Sequence, residues 1–191
     1  RLARGLPATV ILVLAGAYAE YAEGYDGGAS LVAEFPNVLM TRTFSQVYGL
    51  GGLRIGWGYG PREMIDVMTR IRQPFNLSTV QLQAAQAAVE DMDWVPTCTV
   101  LNAAQRARLA GALRQLGVAC DESHAHLVLA RFPGEAEAAA VALALQVAGV
   151  AVRRAAGSCV PGRLVMSGGC EAQSVRRSAR ATQWCHTHRG V

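Results

Sequence analysis

Charge is scarce in this chain. Only 17% of its 191 residues are Asp, Glu, Lys or Arg, against 51% apolar residues, which excludes intrinsic disorder over most of the length. Long apolar runs are missing too. The run over 6–17 is too short to cross a bilayer, so no membrane partner is expected. Arg1 and Arg4 ahead of it imitate the basic start of a secretory signal, but Val10, Ile11 and Val13 followed by Glu20 and Glu23 fit a buried strand entering a loop. Cysteine is sparse and odd in number, 5 with no repeated spacing, which argues against a disulfide framework and for a reducing, cytoplasmic setting. There is no internal repeat and no initiator Met, and the chain is expected to begin inside a longer protein.

The net charge of +4 is small, and much of the excess sits in Arg176, Arg177, Arg180 and Arg189 at the end of the chain. A solvated charge run is the default for such a tail even with Trp184 beside it, so no nucleic-acid partner is expected.

What is present is enough chain for one large domain or parts of two. Compact β-branched runs predict strands over 10–14, 38–43 and 53–58, in a mostly parallel or mixed sheet covered on both faces. Pro61 opens a helix over 62–72, with Met64, Ile65, Met68 and Ile71 on one side, and Pro74 breaks it. Ser78 caps a helix over 79–92. A longer helix over 95–116 carries Leu101, Leu109, Leu113 and Leu116 on one stripe and stops at Gly117. These helices are expected to connect two domains. Beyond them lies a small α/β unit: strands over 126–132, 150–153 and 163–166, and a helix over 135–147. The residues from Ser174 onward have no periodicity and read as an irregular basic tail.

Two stretches carry the chemistry, VILVLAGAYAEY over 10–21 and TRTFSQVYGLGGLRIGWG over 41–58. Both resemble signature segments of the fold-type I, pyridoxal-phosphate-dependent aminotransferases, and are closest in wording to the histidinol-phosphate branch. The segment RIRQPFNL over 70–77 adds to the likeness, which extends more loosely over 7–132. The resemblance implies the C-terminal part of an α/β fold: the end of the large cofactor-domain sheet over 1–75, interdomain helices and the small α/β domain over 76–173, and the tail over 174–191.

In that family the first segment reads Asp, two residues, then Tyr. The carboxylate keeps the cofactor's pyridine nitrogen protonated, and the Tyr hydroxyl binds its phenolic oxygen. Here Tyr18 is present, but Ala15 occupies the Asp position. The second segment presents Ser or Thr, any residue, Ser, then the Schiff-base Lys, with an Arg eight residues further on. Thr43, Ser45 and Arg54 match its phosphate grip, whereas Gln46 fills the Lys position. A primary amide is not basic near neutral pH and does not condense with an aldehyde. Gln46 therefore can neither anchor pyridoxal phosphate covalently nor act as the general base, a role worth about a hundred- to ten-thousand-fold in rate. Ala15 removes the electron-sink partner independently. Arg163, in GRLVMSGG, is the nearest candidate to hold a substrate's acidic group.

The resemblance further implies a small-molecule amino donor and acceptor, with glutamate and an imidazole-bearing phosphate ester exchanging the amino group. It also implies a homodimer or association with an N-terminal half, and pyridoxal phosphate held non-covalently at best. This chain is expected to keep part of the phosphate grip and little or no transamination. The competing reading is a non-catalytic interaction or oligomerisation protein on the same fold.

Blander readings exist for each residue. Thr43, Ser45 and Arg54 could be strand-end capping hydroxyls and a surface Arg, and Gly49, Gly51 and Gly52 an ordinary turn. Tyr18 alone would be a half-buried strand-end aromatic. His124 and His126 share a strand face, but two ligands make no metal site. Cys170, Cys185, His186 and His188 match no closed zinc spacing, so no metal is expected.

Overall fold

Leucine and β-branched residues place the first two strands side by side. β1 (Leu12–Ala15) runs parallel to β2 (Val38–Thr43), in register from Leu12 opposite Val38 to Ala15 opposite Thr41. β3 (Gly56–Tyr59) returns antiparallel on the far side of β2. These features belong to a computed structural model, which describes residues 1–155, 157 and 160–167. The chain divides into two compact units, Arg1–Thr99 and Val100–Val191.

In the first unit, α1 (Leu2–Gly5) and α2 (Ala29–Glu34) bury Ala3 and Val32 against Val38 and Met40, with Leu12, Leu14, Leu31 and Phe35 packed around them. Side chains alternate across a pleat, so Val13, Ala15, Leu39, Thr41 and Thr43 point to the other face. The expectation of a sheet covered on both faces holds only in part, since Leu39 on that face is buried but its neighbours on β1 are not. Val13 stays 53% exposed and Ile11 58%, because α1 and α2 both pack on the opposite side. β1 also starts at Leu12 rather than Val10, whose N–H closes a turn onto the Pro7 carbonyl at 2.9 Å. β3 starts at Gly56 rather than Leu53. Gly51–Leu53 form a 3₁₀ turn, and Arg54 then adopts a left-handed backbone (φ 55, ψ 44) that no strand can contain.

α3 (Arg62–Ile71) opens after Pro61 as expected, although Met68 and Ile71 of its apolar stripe are exposed. α4 (Thr79–Glu90) is capped by Ser78. Its Oγ accepts from the Gln81 N–H at 3.3 Å while the Gln81 Oε1 accepts from the Ser78 N–H at 2.6 Å, a reciprocal box that satisfies two helix-start donors. α5 (Trp94–Gln115) stops before Gly117, whose φ of 70° lets the Val118 N–H reach back to the Leu113 carbonyl at 3.0 Å.

The second unit is an antiparallel sheet in the order β4-β5-β7-β6, formed by β4 (Ala119–Cys120), β5 (Leu127–Arg131), β6 (Arg153–Arg154) and β7 (Arg163–Ser167). α6 (Glu135–Val147) contributes Ala138, Val141 and Leu145 to a core that also holds Leu109, Leu113, Val128, Ala130, Leu164 and Met166. The strand expected over 150–153 shrinks to two residues, since Val150 is drawn into this core instead, and β4 was too short to show a period. Leu101, placed by its spacing with Leu109 and Leu113, is exposed. At the start of α6, Glu135 accepts from the Gly162 N–H (2.8 Å) and from Arg154 Nε (2.9 Å). These bonds, the Gly162 one foremost, hold its carboxyl below the usual range.

Leu109 is fully buried, so Leu109→Ala removes its contacts and leaves a cavity. A loss of about 2–5 kcal/mol is expected in denaturant unfolding of the second unit. The tail over 174–191, with Cys185, His186 and His188, and likewise Cys170, lies outside the described residues. No helix among the described residues is long and apolar enough to cross a membrane.

Candidate functional site

The carboxyl ends of parallel strands, where a crevice opens beyond the last backbone pairing, are where α/β sheets collect their functional loops. β1 ends at Ala15, and the Gly16 N–H still bonds to the Thr41 carbonyl (2.9 Å) before the chain turns through Tyr18 into a 3₁₀ turn, Ala19–Tyr21. β2 ends at Thr43 and runs into Phe44, Ser45 and Gln46. The register therefore brings the Ala15 and Tyr18 segment next to the segment carrying Thr43, Ser45 and Gln46.

Thr43, Ser45 and Arg54 converge. The Thr43 hydroxyl donates to Ser45 Oγ at 2.8 Å and accepts from the Ser45 N–H at 3.0 Å. Arg54 Nη1 reaches Ser45 Oγ at 3.4 Å and donates to the Gly51 carbonyl at 2.8 Å. The left-handed backbone of Arg54 turns its guanidinium back over the loop, and Gly51 packs so close that a Cβ there would stand 3.3 Å from the Ser45 carbonyl. Gln46 follows directly, half-buried, its carbonyl accepting from the Gly49 N–H at 3.0 Å.

Three tethers hold this loop. The Phe44 N–H bonds to the Ile55 carbonyl (3.0 Å), Gln81 Nε2 of α4 to the Leu53 carbonyl (2.7 Å) and Trp94 Nε1 of α5 to the Val47 carbonyl (2.7 Å). An apolar groove of about 660 Å³ between β2, β3 and α3 lies close by but includes none of Thr43, Ser45 or Arg54. The convergent donors, rather than the groove, coincide with the residues singled out from the sequence.

Arg42 was not singled out from the sequence. Its Nη1 pairs with Glu20 at 3.0 Å, both side chains being almost enclosed (11% and 13% exposed), and its Nη2 donates to the Asp26 carbonyl at 3.3 Å. An arginine inside a strand that is otherwise uncharged and starts fully buried was the available signal, because an enclosed charge requires a partner. Burial, with a further push from Glu20, holds the Tyr48 phenol above its usual range, while Arg42 opposes the shift. Arg163 belongs to the second unit, on β7 opposite Arg131, and its Nη1 donates to the Pro161 carbonyl at 3.3 Å. Among the described residues no group of three or more His, Cys, Asp or Glu is placed to hold a metal ion.

The sequence holds one more fact. All 18 basic residues are arginine, so no lysine exists anywhere in the chain to take over from Gln46.

A family model of class I and II aminotransferases matches residues 6–181. The chain belongs to that family. Among similar proteins, the histidinol-phosphate aminotransferase of Ruegeria pomeroyi is 60% identical over 172 residues, covering 90% of this chain and 48% of the relative. That of Cereibacter sphaeroides is 58% identical over 181 residues, covering 95% of this chain and 50% of the relative. A solved histidinol-phosphate aminotransferase from Sinorhizobium meliloti, in complex with pyridoxal-5'-phosphate, superposes with a TM-score of 0.85 at 29% identity, over 97% of this chain and 51% of its own. This aminotransferase chain thus spans about half the length of its relatives and has the mixed α/β fold of part of a fold-type I enzyme. The family match runs well past Phe132, where the looser likeness read from the sequence ends.

Pyridoxal phosphate is the cofactor of this family, and the residues present fit it in part. Two hydroxyls 2.8 Å apart and a guanidinium 3.4 Å from the second of them suit a phosphate dianion, which accepts charge-assisted bonds. The methyl of Ala15 carries no charge that could pair with a pyridinium nitrogen, and the Gln46 amide is no nucleophile toward an aldehyde.

Proposed function

We propose that this chain is a histidinol-phosphate aminotransferase-like unit that retains the phosphate grip of its family and has lost the means of transamination. The observation that carries the reading is the Thr43–Ser45–Arg54 cluster standing beside Gln46 in a chain without lysine. When bound, pyridoxal phosphate would supply an electron-withdrawing ring. Thr43, Ser45 and Arg54 would hold its phosphate, and Tyr18 would donate to its phenolic oxygen. Arg163 is the candidate for the substrate's acidic group. The Gln46 amide cannot carry the proton that transamination moves, and Ala15 would leave the ring nitrogen unpaired. A cytoplasmic location and an amino-acid-biosynthetic context accompany this reading.

The expected behaviour is reversible, non-covalent binding. Pyridoxal phosphate titrated into the chain and followed by visible absorbance is displaced by inorganic phosphate, and borohydride leaves no adduct on the protein. Measurable transfer of an amino group by the purified chain, lost on changing Arg54, would refute the reading.

A second reading, an interaction or oligomerisation role on the same fold, is favoured by apolar side chains left in solvent. Phe75 is 98% exposed, Ile71 79% and Met92 77%. Exposed apolar surface of this kind marks interfaces. Association with an N-terminal half or a second copy would cover it. Sedimentation separates the two readings: self-association or partner binding that is indifferent to the cofactor supports the second, and a clean monomer counts against it.

A further inference from the structure

The Arg42–Glu20 pair joins two segments that the proposed site needs in fixed relation. Glu20 sits in the 3₁₀ turn two residues after Tyr18, and Arg42 is the residue before Thr43 on β2. The pleat sends Arg42 to the α2 side of the sheet while Thr43 points to the other face, so the pair grips the Tyr18 loop from beneath and leaves the Thr43 face open. The room for this grip is built in. A Cβ on Gly27, whose φ is 73°, would lie 1.9 Å from Arg42 Nη2, and one on Gly16 would lie 3.1 Å from Arg42 Cδ.

Stability alone does not explain such a pair. Enclosed ion pairs lose in desolvation much of what they gain in attraction, and an apolar pair of similar volume often serves as well. This one also leaves Glu20 Oε2 and Arg42 Nε without a hydrogen-bond partner among the described residues. What the geometry supplies is a side-chain tie between the Tyr18 loop and β2, beyond the backbone bond from the Gly16 N–H to the Thr41 carbonyl.

We infer that Arg42 and Glu20 are positioning residues that set the Tyr18 hydroxyl at the spacing from the Thr43–Ser45–Arg54 grip that a single phosphorylated pyridine ring requires. The inference rests on the phosphate-grip reading above. A ligand that touches both ends feels the clamp; a ligand that touches only the grip does not.

The test compares two probes, pyridoxal phosphate and inorganic phosphate, on the double variant Arg42→Met, Glu20→Gln. This variant removes both charges together and leaves neither buried alone. Its melting temperature and its affinity for inorganic phosphate are expected to match the parent, while its affinity for pyridoxal phosphate falls about five- to tenfold, the equivalent of one hydrogen bond misplaced. In a Tyr18→Phe background the same double change is expected to cost nothing further, and Arg42→Lys alone is expected to restore most of the loss. Equal weakening of both probes, or of neither, would overturn the clamp. If Ser45→Ala leaves both affinities unmoved in the parent chain, the grip reading itself fails, whatever the clamp variant shows.

Discussion

Gln46→Lys combined with Ala15→Asp is expected to convert a chain that borohydride leaves unlabelled into one that carries reduced cofactor at a single position. The parent has no lysine at all, so any lysyl adduct in the variant must lie at residue 46 and is read directly from the mass of one peptide. The surroundings favour reaction. Residue 46 is half-buried and adjoins Ser45, on whose hydroxyl Arg54 is directed at 3.4 Å, and both burial and a nearby guanidinium disfavour an ammonium group. More of the new lysine is therefore neutral near pH 7 than of a free lysine, and adduct yield rises as pH rises through its titration. Because the chain spans about half of its relatives, attachment rather than turnover is the expected gain. Indistinguishable labelling of parent and variant, or labelling confined to the α-amine of Arg1, would mean that position 46 does not face the cofactor.

The order of elements was legible because the periods were strong. β2 and α6 occupy the residues their patterns predict, Val38–Thr43 and Glu135–Val147. β3 failed at one residue. The apolar run from Leu53 gave no sign that Arg54 would take a left-handed backbone, a conformation that goes with the turn of the loop toward Ser45 and Gly51 rather than with any local period. The site shows the same division. Thr43, Ser45 and Arg54 could be paired from spacing and resemblance, and the fold brings them together. Arg42, Glu20, Gln81 and Trp94, which hold that loop and its neighbour in place, are separated from their partners by 22 to 47 positions or lie where only tertiary packing decides, and a local pattern cannot show them. The exposure of Val13 and Ile71 is the other illegible feature. A sequence reports that a face is apolar, not what covers it.

Arg54→Gly is expected to separate stability from binding, with the two moving in different directions. A non-glycine residue in the left-handed region is strained by about 1–2 kcal/mol, and glycine relieves it, although glycine's greater freedom in the unfolded chain offsets about half of that. The exposed Arg54–Gly51 hydrogen bond that is lost contributes little in water. Thermal unfolding of the variant should therefore lie within about 1 kcal/mol of the parent, on the stable side. Phosphate loses its one charged donor from this cluster, an interaction of about 1.5–3 kcal/mol, so calorimetric titration with inorganic phosphate should show affinity down by about ten- to a hundredfold. Strain kept at a residue that stabilises nothing is the signature of a position held for a ligand. An undiminished phosphate affinity, or a loss of more than about 2 kcal/mol in stability, would make Arg54 a structural residue of the loop instead.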